Sequence, residues 1–143
     1  MLCIWGIALM SNWAFGQNDI KRISIENNAL IYVPQQDKLF VTTPGGQATG
    51  NSLCVIDPYF GAIDTCYFIG SEPGVMAVSE DGTYIYIGLT GAPRIVRFNL
   101  LTKQVDAQIN LGAGLFSAHY AEDIEVLPGS STSIAVSRRN QGF

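Results

Sequence analysis

A chain of 143 residues that is 48% hydrophobic and only 14% charged can bury a core and is too apolar for disorder. Its net charge of −4 and pI near 4.7 leave no basic footprint for DNA, RNA or an anionic membrane surface. The only adjacent cations are Lys21-Arg22 and Arg138-Arg139, an ordinary density for a solvated surface, so nucleic acid is not an expected partner.

The first sixteen residues differ in kind from the rest. Residues 2–10 are apolar apart from one glycine, and Trp13-Ala14-Phe15-Gly16 follows the polar pair Ser11-Asn12. Ala14 and Gly16 stand two apart, as small residues do before a signal-peptidase cut, which would release a chain beginning at Gln17. The run is too short to span a bilayer, where about 20 residues are needed, so no transmembrane helix is expected. Residues 1–16 therefore read as a secretory signal and residues 17–28 as a lead-in, placing the protein outside the cytoplasm: secreted, periplasmic or at the cell surface. No Lys or Arg precedes the apolar run, which leaves a buried first strand or helix as the alternative.

From residue 29 strand follows strand. Ala29-Leu30-Ile31-Tyr32-Val33 ends at Pro34, and Lys38-Leu39-Phe40-Val41-Thr42 ends at Pro44-Gly45-Gly46. Ser52-Leu53-Cys54-Val55-Ile56 runs into Asp57-Pro58, and residues 63–69 make a fourth strand after Gly61. Each run is short, rich in β-branched and aromatic types, and bounded by turn formers. No segment shows a helical apolar stripe with caps.

The unit of four strands then recurs. Val75-Met76-Ala77-Val78-Ser79, Tyr84-Ile85-Tyr86-Ile87, Arg94-Ile95-Val96-Arg97-Phe98 and residues 105–111 occupy the same places. Residues 57–70 align with residues 99–112 without a gap: Asp57 meets Asn99, Ile63 meets Val105, Asp64 meets Asp106 and Gly70 meets Gly112. A third unit begins at Asp123-Ile124-Glu125-Val126-Leu127 and continues through Ser133-Ile134-Ala135-Val136-Ser137. A four-stranded repeat of roughly 40–50 residues is the mark of propeller blades. The expected fold is all-β: a β-propeller of four-stranded antiparallel blades at 29–70, 75–112 and, in part, 123–143, with an incomplete ring.

The segment Gly70-Ser71-Glu72-Pro73-Gly74-Val75-Met76-Ala77-Val78-Ser79-Glu80-Asp81-Gly82-Thr83-Tyr84-Ile85-Tyr86-Ile87 resembles the repeat of YVTN-type β-propellers. In that family a Gly and a Pro precede an Ala-x-Ser strand, an Asp-Gly turn follows, and a Tyr-Val-type strand comes next. Phe98-Asn99-Leu100-Leu101-Thr102-Lys103-Gln104-Val105 is similar to its third-strand ending, with Asn99 and Lys103 where Asp and Gly are usual. The resemblance covers residues 29–137. It implies that Asp81-Gly82 forms a hairpin turn with positive φ, and that Asp57 and Asn99 bond backbone amides in tight turns.

The implied fold also bears on the cysteines. If residue 60 centres the third-to-fourth-strand hairpin, Cys54 and Cys66 sit opposite each other, so a cross-strand disulfide is expected, with two buried free thiols as the alternative. A seven-bladed ring needs about 300 residues at this period. The expectation is therefore an amino-terminal part of something longer, or a chain that assembles with copies of itself, so that further blades or self-association close the ring.

In a propeller the loops from second to third strand and from blade to blade emerge on one rim. Residues 43–51, 112–122 and 138–140 fall in those places, and they carry the candidate ligand-binding residues Phe116, His119, Tyr120, Arg138 and Arg139. His119 with Glu122 and Asp123 has the chemistry for acid–base work or a metal, but three ligands within five residues of one loop make a poor metal pattern. The chain carries no Gly-x-Ser-x-Gly elbow, phosphate loop or His-Glu-x-x-His. No catalytic residue, metal or cofactor is expected. The leading reading is an exported, non-enzymatic module binding a protein or a polysaccharide. The alternatives are part of a lactonase-like or quinoprotein-dehydrogenase-like propeller enzyme, and a purely structural surface repeat.

Overall fold

The structure, a computed structural model, describes residues 20–115 and 117–140. The expected signal at 1–16, its cut before Gln17, and Phe116 lie outside the described residues. Blade 1 comprises β1 (Ala29–Val33), β2 (Lys38–Thr43), β3 (Ser52–Asp57) and β4 (Ala62–Phe68). Blade 2 comprises β5 (Pro73–Val78), β6 (Tyr84–Leu89), β7 (Arg94–Asn99) and β8 (Gln104–Asn110). Each is an antiparallel meander with its strands in chain order, and β9 (His119–Val126) with β10 (Ile134–Asn140) forms a third, two-stranded sheet.

The repeat legible in the sequence holds at the level of single hydrogen bonds. Asp57 Oδ1 accepts the amides of Tyr59 and Phe60, both at 2.9 Å, and Asn99 Oδ1 accepts those of Leu101 at 2.9 Å and Thr102 at 3.1 Å. The turn then closes through a left-handed residue, Gly61 at φ 65° in blade 1 and Lys103 at φ 59° in blade 2. Both blades carry a bulge at the same place, between Val55 and Ile56 and between Arg97 and Phe98. A carboxylate on the fourth strand meets a cation in each: Lys38 Nζ lies 2.9 Å from Asp64, and Arg97 Nε lies 2.8 Å from Asp106.

Alternation along the strands gives each blade two apolar faces, and the blades pack through them. Val33, Phe40, Leu53 and Val55 of blade 1 meet Ile85, Ile87, Val96 and Phe98 of blade 2 in one core. The other face of blade 2, with Ala77, Tyr86 and Ile95, packs against Ala121 and Ile124 of β9. Gly88 makes that second contact close: a β-carbon there would stand 2.9 Å from Ala121 Cβ. The first strands lie side by side, with β5 packed between β1 and β9.

The third sheet departs from expectation at its ends. His119 to Glu122 were expected in a connecting loop, yet they form the start of β9. Arg138 to Asn140 were expected in the next loop, yet they form the end of β10. The reason is the ladder: Tyr120 pairs with Arg139 and His119 with Asn140, so backbone pairing carries polar residues past the point where apolar alternation stops.

The Asp81-Gly82 turn forms as the repeat implied, with Gly82 at φ 68°. Buried Ser79 donates its hydroxyl to Asp81 at 2.6 Å and accepts the amides of Thr83 and Tyr84. The Ser79 hydroxyl foremost, then the Thr83 amide, lowers the Asp81 carboxyl from 3.8 to about 2. A carboxyl depressed in the folded state stabilises the fold above its unfolded pKa and loses that stabilisation as pH falls towards the folded value. The melting temperature is therefore expected to fall as pH drops from 3.8 towards about 2, and Asp81→Asn is expected to flatten part of that slope. Parallel melting curves for the two proteins across this range would remove Asp81 as the cause.

Candidate functional site

An antiparallel meander alternates its connections between two ends, so the β2–β3, β4–β5, β6–β7 and β8–β9 connections share one end of the molecule. At that end, beside the three first strands, lies an open cavity of about 490 Å³. Asn28, Glu72, Thr90, Glu122 and Arg139 supply its polar lining, and Val75 contributes apolar surface.

Glu72 is the most constrained of these residues. It sits in the β4–β5 connection at φ 50°, a left-handed conformation uncommon outside glycine, asparagine and aspartate. The surrounding structure holds it there. Its amide donates to Asn51 Oδ1 at 2.8 Å, and its Oε1 accepts the Gly45 amide at 3.1 Å. Its carbonyl accepts both the amide of Thr90 at 2.8 Å and the Thr90 hydroxyl at 3.0 Å. The β2–β3 connection of blade 1 thus positions a carboxylate of the next connection. Asn28 Nδ2 donates to the Pro73 carbonyl at 2.9 Å, and Thr42 Oγ1 to the Gly74 carbonyl at 3.0 Å, tying blade 1 to β5 beneath the cavity.

Two carboxylates and one guanidinium give the lining acceptors and donors, and the Gly45 amide holds the Glu72 carboxylate in place. Among the described residues the ion pairs are Lys38–Asp57, Lys38–Asp64 and Arg97–Asp106, so the charged groups of the cavity are not paired with one another. Among the described residues the lining holds no serine, cysteine, histidine or lysine.

Of the five residues expected from the sequence, Arg139 lines the cavity. Arg138 turns to the other side of β10, where its Nη1 donates to the Leu111 carbonyl at 3.1 Å and ties the third sheet to the end of blade 2. His119 and Tyr120 are half-buried at the start of β9, outside the lining, and Phe116 lies outside the described residues. Glu122 lines the cavity, while Asp123 accepts its neighbour's amide and lines a separate hollow. Among the described residues no three His, Cys, Asp or Glu side chains are grouped to hold a metal. Asn28, Glu72 and Thr90 were not anticipated. Glu72 was legible only as part of the Gly70 to Gly74 motif, and its φ has no sequence signal.

No family model matches the chain, and no curated protein matches it in sequence. Solved structures do. Over 85% of its length the chain is similar to hydrazine synthase of Kuenenia stuttgartiensis, at TM-score 0.65 and 16% identity. Over 80% it is similar to the β-propeller domain of Myceliophteria thermophila Cps50 (Swd1), at TM-score 0.64 and 13% identity. The fold is a β-propeller. The WD40 repeats of RRP9 match in the same way, over 76% of the chain at TM-score 0.57 and 15% identity. The chain spans about a third of each of these structures: 32%, 33% and 32%. At such identities the likeness concerns the fold alone. The described residues amount to two complete propeller blades and half of a third, an incomplete propeller.

Proposed function

We propose that this propeller is an exported, non-enzymatic binding module of the YVTN type, whose ligand, a polysaccharide or a protein segment, enters the rim cavity between the first strands. The observation that carries this reading is Glu72. A non-glycine residue in a left-handed conformation costs about 1–3 kcal/mol and persists only where its surroundings impose it, a situation that clusters at binding sites. Here the imposed conformation places Glu72 in the lining of a cavity also lined by Glu122 and Arg139. Hydroxyl-rich or amide-rich ligands suit such a lining, because they exchange hydrogen bonds with both carboxylates and the guanidinium.

The YVTN assignment is supported by the Gly70 to Ile87 motif and by the shared capping of Asp57 and Asn99. Export is supported by the apolar run at 2–10 and by a disulfide between Cys54 and Cys66, which persists in oxidising compartments.

The test is retention of the full chain on panels of immobilised oligosaccharides and peptides, followed by affinity measurement for whatever is retained. Glu72→Gln combined with Arg139→Ala is expected to weaken binding by roughly tenfold or more. Unchanged affinity in a folded double variant would move the site away from this cavity.

A further inference from the structure

The rim cavity is built on departures from regular strand pairing. β1 pairs with β2 without a break, whereas β5 and β9, the first strands of the next two units, each carry a bulge. In β5, Pro73 pairs with Leu89 and Met76 with Ile87, so Gly74 and Val75 together stand opposite Gly88. In β9, Asp123 pairs with Ser137 and Ala121 with Arg138, so Glu122 is the extra residue. Successive residues of a regular strand belong to opposite faces, and a bulge breaks that alternation. Here Gly74 with Val75, and Ala121 with Glu122, line the same cavity. The bulge in β9 thus adds an acidic residue to a lining that already holds Glu72.

The chemistry this lining offers is one-sided. Two of its polar members spend donors on the protein itself. Asn28 Nδ2 donates to the Pro73 carbonyl, and the Thr90 hydroxyl gives its single proton to the Glu72 carbonyl. The asparagine carbonyl and the threonine oxygen remain as acceptors. The carboxylates of Glu72 and Glu122 are acceptors only, and the Gly45 amide occupies one of several lone pairs on Glu72. Arg139 is the donor-rich member, and its one positive charge stands against two negative ones.

A ligand that displaces water from this lining leaves one carboxylate uncompensated unless it brings a cation, and an uncompensated charge removed from water is costly. The hydroxyls of a neutral sugar supply no charge. An ammonium or guanidinium supplies charge and donors together, and a peptide carries backbone carbonyls that accept from Arg139. The net charge of −4 on the chain draws such a ligand in from a distance. We infer that the rim cavity takes a basic protein segment, with a lysine or arginine side chain paired to Glu72 and Glu122 and a backbone carbonyl to Arg139. The inference rests on the reading of this cavity as the binding site, and it narrows the ligand from two classes to one.

The experiment is calorimetric titration of the full chain with four probes: a peptide of alternating glycine and lysine, its glutamate counterpart, cellohexaose, and a glucosamine hexamer with free amines. The lysine peptide is expected to bind, the glutamate peptide and cellohexaose are not, and the glucosamine hexamer is expected to bind more weakly than the lysine peptide. Glu72→Gln with Glu122→Gln is expected to raise the dissociation constant of the lysine peptide roughly tenfold or more, with the circular dichroism unchanged. If that pair unfolds the protein, Glu122→Lys alone takes its place with the same expectation. Asp123→Asn with Glu125→Gln, around the separate hollow of the third sheet, is expected to change affinity by less than about twofold. An equal loss in that control would mean attraction to acidic surface in general and overturns the inference. Cellohexaose or glutamate-peptide binding that is abolished by Glu72→Gln with Arg139→Ala also overturns it, while leaving the cavity as the binding site. Tighter binding of the glucosamine hexamer than of the lysine peptide does the same in favour of a cationic sugar. Absence of lysine-peptide binding up to about 1 mM overturns the inference outright, and the binding-site reading then falls only if the wider oligosaccharide and peptide panels show no ligand that depends on Glu72 and Arg139.

Discussion

Replacing Gly70 by alanine is expected to destabilise the fold by about 3 kcal/mol, while the same change at Gly112 is expected to cost about 1 kcal/mol. The two glycines occupy one position of the repeat, each just past the fourth strand of its blade. Their surroundings differ. Gly112 adopts φ 76°, near the ordinary left-handed well, and a β-carbon there would meet nothing within 4 Å among the described residues. Gly70 adopts φ 135°, well beyond that well, and a β-carbon there would stand 2.7 Å from Leu89 Cδ1. Leu89 is buried in the core between the blades, so it has little room to yield. Backbone strain and overpacking therefore act together at Gly70, and only the milder backbone penalty acts at Gly112. Urea unfolding of the two variants measures the difference. Equal losses would mean that repeat position, rather than local packing, sets the cost.

Reduction of the Cys54–Cys66 disulfide is expected to lower stability by about 3 kcal/mol, the chain-entropy value for a loop of this size. The cysteines are cross-strand partners on β3 and β4, 12 residues apart, with Cα atoms 4.0 Å apart. Cys54 is fully buried beneath Ile23 and Ile25, so the bond also anchors the surface on which the lead-in rests. Urea midpoints with and without a phosphine reductant test this without opening the cavity that an alanine substitution would leave. A midpoint that reduction leaves unmoved would show that the hairpin is equally well closed by its ladder alone.

The disulfide was legible because it needed only the register of one hairpin, and that register followed from the turn at Asp57 to Gly61. The turn caps were legible for the same reason: Asp57 and Asn99 act on amides two and three residues away. The ends of β9 and β10 were not. His119, Tyr120, Arg138 and Arg139 lack apolar alternation, and their strand state comes from partners on the other strand of the pair. The role of Glu72 was hidden more deeply still. Asn51, Gly45 and Thr90, which fix its conformation and its carboxylate, come from two other connections.

Local sequence by itself thus determined the four-stranded repeat, its turns and the cysteine pair, because each rests on contacts within one hairpin or on side-chain alternation. Only the tertiary structure decided which blade faces are buried, that Ile23 and Ile25 cover one of them, and that Asn28, Glu72, Glu122 and Arg139 share a cavity. Those relations depend on how separate sheets stack and on a backbone conformation imposed from neighbouring blades. Neither leaves a periodic trace along the chain.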